Sequence, residues 1–151
     1  MKCGGIIMRR ILLILLCIWL VGCSKISDLQ LIYDEVADDL PLLMEVNEEI
    51  IEEVYDLEVD DIKQFVIYRP ISNVEADEFI LIHAHEDKVE AIKADLDVYF
   101  AMMEEYWKDH LPLQYQKLHH RKELIIDDYY CVVVSDDADK IIDKVKELLE
   151  A

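Results

Sequence analysis

The sequence predicts an α+β fold. The expected core is a four-stranded antiparallel sheet with helices packed on it, in the order strand-strand-helix twice (ββα-ββα), preceded by two short helices. Three observations lead there. Up to about residue 56, apolar residues recur at three- and four-residue spacing; beyond about residue 58, short unbroken apolar runs replace them. Strand, strand and amphipathic helix then follow one another twice. The chain has 151 residues, 54% of them hydrophobic, which suits one domain with its own core rather than a disordered acidic tail.

Each element has its own local reason. Leu29, Ile32, Val36 and Leu40 share one helical face, and Leu42, Leu43, Val46, Ile50 and Val54 repeat the pattern. Pro41 lies between them and suits a helix first turn, so residues 28–56 read as two helices meeting at Leu40–Pro41. Phe65–Tyr68 reads as a strand stopped by Arg69-Pro70, and Phe79–His85 as a second strand. Residues 87–108 form a long helix: Val89, Ile92, Leu96, Phe100, Met103 and Trp107 make one stripe, with Asp87 as its cap. Pro112 opens a loop running to Arg121. Glu123–Ile126 and Tyr129–Val134 are the last two strands, joined by Asp127-Asp128. Ser135 is expected to cap a final helix that buries Ile141, Ile142, Val145, Leu148 and Leu149; Asp136 and Asp137 complement its dipole.

Residues 1–22 read as an address rather than as fold. Arg9-Arg10 precede the apolar run Ile11–Val21, the layout of an export signal and too short to span a bilayer. Leu20-Val21-Gly22-Cys23 then matches a lipobox, which marks Cys23 for diacylglycerol attachment. Cleavage before Cys23 would remove Lys2, Arg9 and Arg10, leaving 12 basic against 34 acidic residues and a net charge of −22. It would also remove Gly4, Gly5 and Gly22, the only glycines. Residues 23–27 would be a tether, and residues 28–151 a single domain. Turns in that domain must then be made by Asp, Asn, Ser and Pro or by longer loops, and Cys131 is its only thiol. Such charge excludes a generic nucleic-acid binder, and it repels anionic lipid headgroups, so the body should stand off the membrane.

Several segments carry a family likeness: Asp28-Leu29 with Ile32-Tyr33 after the lipobox, Leu57, Tyr68, Ala76-Asp77-Glu78, Tyr106 to Tyr115 around Pro112, and Tyr130 to Ala138. In this order they resemble the uncharacterised bacterial lipoprotein family with domain of unknown function 4358. The resemblance implies an extracytoplasmic α+β lipoprotein on the cell membrane and implies no activity.

Candidate chemistry is sparse. His83 and His85 alternate along a strand, so both imidazoles would project from one face, and histidines with a carboxylate such as Glu86 are a zinc ligand set. Ser24, Ser27, Ser72 and Ser135 are the only serines of the mature chain, and no glycine is left for a nucleophile elbow or a phosphate loop. No enzymatic activity and no resident cofactor are expected. The stretch 109–122 concentrates His110, Lys117, His119, His120, Arg121 and Lys122, with Tyr115, on an otherwise acidic protein. It is the expected contact for an unidentified envelope protein or ligand. The sequence therefore predicts a lipid-anchored, non-enzymatic binding or accessory protein of the cell envelope, with a metal-handling role through His83 and His85 as the alternative.

Overall fold

The computed structural model describes residues 28–151. The export signal, the lipobox with Cys23 and the tether lie outside the described residues. In chain order the elements are helix α1 (Leu29–Asp34), a 3-10 turn (Ala37–Asp39), strand β1 (Leu43–Glu45), helix α2 (Glu48–Tyr55), a second 3-10 turn (Val59–Asp61), β2 (Ile62–Pro70), β3 (Glu78–Ala84), α3 (Val89–Trp107), α4 (Pro112–His119), β4 (Lys122–Ile126), β5 (Tyr129–Val134) and α5 (Ala138–Glu150).

The sheet is antiparallel, but it has five strands rather than four, in the order β1-β2-β3-β5-β4. The added strand is β1. Its residues pair along β2, Leu43 opposite Pro70, Met44 opposite Arg69 and Glu45 opposite Tyr68. The apolar spacing there does suit a helix, but pairing satisfies the outer edge of β2, whose backbone groups would otherwise face solvent. The expected second helix shortens to α2, capped by the Asn47 side chain, which accepts from the Ile50 amide at 3.1 Å. Arg69-Pro70 does not end β2 ahead of itself; both residues belong to the strand, with Pro70 last, where its missing N–H costs no interior ladder bond.

Side-chain alternation divides the core in two. Ile80, Ile82 and Ala84 of β3 face α2, α3 and α4, whereas Phe79 and Leu81 face α1 and α5. The sheet is therefore covered on both sides, which is why Phe79–Ile82 form an unbroken apolar run rather than an alternating one. α3 buries Val89, Ile92, Leu96, Phe100 and Trp107 of the expected stripe, and Tyr99 as well.

Aspartate replaces glycine in the turns. Asp56, Asp87 and Asp127 hold φ values of 56°, 62° and 49°, the left-handed conformation that aspartate tolerates better than bulkier residues. Asp87 is thus a turn residue and not the α3 cap; Lys88 stands at that position and makes no side-chain capping bond. Between β4 and β5 only Asp127 takes positive φ, so this turn does not need both central residues left-handed. Ser135 also differs from expectation: its hydroxyl accepts from the Asp137 amide at 3.2 Å in the turn leading into α5, while Asp137 occupies the cap position.

Cys131 lies wholly inside the α1/α5 side of the sheet, and burial pushes its thiol well above the usual range. An alkylating reagent should leave Cys131 unmodified in the native protein and react with it once the chain is denatured. Peptide mass spectrometry checks this, and rapid native alkylation would contradict it.

Candidate functional site

The clearest concavity lies at one end of the α2–α4 side of the sheet. Glu78 opens β3, in phase with Ile80 and Ile82, so its carboxyl points into the core side of the strand. Only 3% of Glu78 is exposed. The β2–β3 register runs to Tyr68 opposite Phe79, and its continuation sets Arg69 across from Glu78. From α2, the Tyr55 hydroxyl donates to Glu78 Oε1. From α3, the Tyr99 hydroxyl lies 3.4 and 3.5 Å from the two carboxyl oxygens, and the two tyrosine rings are tilted together at 4.7 Å.

Burial raises the Glu78 acid to about 7, although the Tyr55 hydroxyl, the Arg69 charge and the Tyr99 hydroxyl each pull it back. The same enclosure pushes the Tyr55 and Tyr99 phenols upward, first by burial and then by the neighbouring Glu78 charge. Both phenols therefore remain hydrogen donors at neutral pH. Among the described residues no buried side-chain nitrogen or oxygen lacks a hydrogen-bond partner, so this polar knot is fully satisfied.

Above the knot is a cavity of about 310 Å³. Arg69, Ser72, Asn73, Glu75, Glu78 and Tyr99 form its polar part, and Met103, Tyr106 and Trp107 an apolar stretch of its wall. Trp107 is core, whereas Tyr106, 65% exposed, stands at the mouth. A dedicated set of contacts holds the rim. The Ala76 amide donates to Gln114 Oε1 at 2.9 Å, tying the β2–β3 connection to α4. One residue on, the Lys117 ammonium donates to both Asp77 oxygens at 3.0 and 2.9 Å, with the side chains only 14% and 10% exposed. Removing one charge of so enclosed a pair leaves the other poorly solvated. Asp77→Asn should therefore destabilise the protein by about 2 kcal/mol in urea titrations. A change below about 0.5 kcal/mol would show the pair to be dispensable.

The expected binding stretch is not a loop. Residues 112–119 form α4, with Pro112 in its first turn, and the basic groups around it are largely neutralised within the molecule. Arg121 donates to Glu104 at 2.7 Å and to Glu123 at 3.2 Å, and lies over the Phe100 ring at 4.5 Å. Lys117 reaches Asp136 as well as Asp77. His119 is 3.3 Å from Glu104 and stacks on Tyr115 at 5.5 Å. His110 and His120 each bind a backbone carbonyl of their own helix turn, at 2.9 Å to Tyr106 and 2.7 Å to Gln116. His110, His119 and His120 remain exposed, whereas Tyr115 is packed against the core and Arg121 is mostly covered.

His83 and His85 stand at the end of β3. His83 stacks on Tyr129 at 4.3 Å within the sheet, whereas His85 lies beyond the end of β3, its amide donating to the Asp61 carbonyl at 2.8 Å. Among the described residues, no three His, Cys, Asp or Glu side chains gather where they could hold a metal ion. Nor is any helix among those residues long and apolar enough to cross a membrane.

Glu78, Arg69, Tyr55 and Tyr99 were not legible as one site in the sequence. The available signal was a carboxylate in phase with the buried isoleucines of an apolar strand. A family model described as Domain of unknown function (DUF4358) matches residues 36–135, which include every residue lining the cavity. No curated protein and no solved structure matches the chain.

Proposed function

From the premise that the chain belongs to the family defined by Domain of unknown function (DUF4358), we propose that it is a lipid-anchored, extracytoplasmic and non-enzymatic binding protein of the cell envelope, with the Glu78–Arg69 cavity as its ligand site. The cavity carries this reading. Fixed polar groups beside an apolar and aromatic stretch of wall suit a small-molecule site, and about 310 Å³ is at the lower end of the ~300–1,000 Å³ such sites span. Its placement inside the family-matched segment supports the same reading, as does the cross-linked rim at Ala76, Asp77, Gln114 and Lys117. Two acyl chains on Cys23 would hold the protein durably, since each buried methylene contributes about 0.8 kcal/mol.

Both parts can be tested in cells and in detergent extracts. Metabolic labelling with an alkyne-bearing fatty acid should tag the wild-type chain and place it in the membrane fraction, and Cys23→Ala should abolish the tag. Persistent labelling of that variant would overturn the lipid anchor. Thermal-shift screening against small metabolites should yield stabilisers that lose their effect in Ala76→Trp, which fills the cavity. Conversion of a stabiliser to product in the same samples would overturn the non-enzymatic part.

A further inference from the structure

We infer that the cavity recognises a small zwitterion with an apolar or aromatic substituent, of the α-amino-acid type, its carboxylate on Arg69, its ammonium at Glu78, and its substituent against Met103, Tyr106 and Trp107. The inference deepens the ligand-site reading and rests on it.

The argument begins with the two charged groups. Arg69 and Glu78 line one cavity, on neighbouring strands, and the positive charge of Arg69 is felt at Glu78 electrostatically. Yet no ion pair joins them, in a protein whose cations are otherwise widely engaged: Lys63, Lys88, Lys93, Lys117, Arg121, Lys122 and Lys140 all pair with carboxylates. A guanidinium left beside a concavity suits a carboxylate, because its planar fork matches that group.

The second pole is Glu78. Its oxygens already receive the Tyr55 and Tyr99 hydroxyls, and a carboxylate has capacity for further donors. A ligand ammonium would supply a further donor and a positive charge in direct contact with that carboxylate, which Arg69 does not. A purely anionic ligand would face Glu78, and a purely cationic one would face Arg69; only a molecule carrying both charges meets complementary groups at each end. Met103, Tyr106 and Trp107 make one stretch of the wall apolar and aromatic, which suits an apolar third substituent.

The test uses the full chain in detergent and isothermal titration calorimetry. L-phenylalanine is compared with 3-phenylpropionate, which lacks the ammonium, and with 2-phenylethylamine, which lacks the carboxylate. Phenylalanine should bind at least about tenfold more tightly than either. Phenylalanyl-phenylalanine sets the two charges further apart and separates a free amino acid from a peptide as the source of the same chemistry. Arg69→Gln should lower phenylalanine affinity about tenfold without weakening 2-phenylethylamine, which loses only a repelling charge, and Arg69→Lys should restore part of the phenylalanine loss. Glu78→Gln should remove the preference for the ammonium; because Glu78 is inside the core, the Arg69 pair decides the matter if that variant is unfolded. The inference is overturned if either half-ligand binds as tightly as phenylalanine, or if Arg69→Gln binds it like wild type. Should only uncharged amphiphiles bind, and Ala76→Trp block them, the ligand site stands while the zwitterion falls. If no compound of any class binds, both fail.

Discussion

Phe79→Ala should cost about 3–5 kcal/mol of stability, the range for emptying a fully buried aromatic position. Phe79 has no exposed surface and sits on β3, the middle strand of the five. Its ring meets Tyr33 of α1 edge-on at 5.3 Å, and Tyr33 in turn stacks on Tyr68 of β2 at 3.7 Å. The alanine variant would remove the anvil against which α1 is docked. Both the transfer loss and the residual cavity add to the cost, because helix and sheet cannot close fully over the gap. Urea titration followed by tryptophan fluorescence measures it. Leu113→Ala is the control: Leu113 is 83% exposed, and the change should stay within about 0.5 kcal/mol. A loss below about 1 kcal/mol at Phe79 would mean that the α1/α5 side of the core is not packed as described.

The second large effect is in the pH dependence. Glu78 is raised from 4.5 to about 7 in the folded protein, with burial as the main cause. The groups facing it are the Tyr55 and Tyr99 hydroxyls and Arg69, none of which changes charge between pH 5 and 8. A raised acid binds more protons folded than unfolded, so its contribution is most favourable below pH 4.5 and is lost as pH rises towards about 7. The loss amounts to about 3 kcal/mol across that window. The measurement is the difference between wild type and Glu78→Gln, in which everything the two proteins share cancels. Glutamine resembles the neutral acid and still accepts from Tyr55. The two proteins should have similar stability near pH 5, and the variant should become the more stable by pH 8. A difference that does not change with pH would refute the buried-acid assignment.

Legibility in the sequence followed the range of the interactions. β3, β5, α3 and α5 could be read directly, because ten or more residues of α3 and α5 repeat one helical period and the strands are unbroken apolar runs. The two prolines show where local rules fail. Pro41 suggested a helix start but is followed by a strand, because Leu43–Glu45 find the open edge of β2. Pro112 does begin a helix, α4, whose apolar pattern is too weak to announce it. Charge was equally deceptive: the basic stretch around α4 looks like a surface patch in one dimension, yet Lys117 and Arg121 turn inward to Asp77, Glu104 and Glu123. The cavity could not be read at all, since its residues come from β1, β2, β3, α3, α4 and the β2–β3 connection.

The amino-acid sequence by itself determined the α+β class, the long helices and inner strands, and the need to build the domain's turns without glycine. Each of these depends on side-chain period or on the conformational tolerance of a single residue. Tertiary structure alone decided the fifth strand, the neutralisation of the basic stretch, and the meeting of Glu78, Tyr55, Tyr99 and Arg69. Those depend on which distant backbones pair and which side chains lose water together, and free energies of that kind have no local signature.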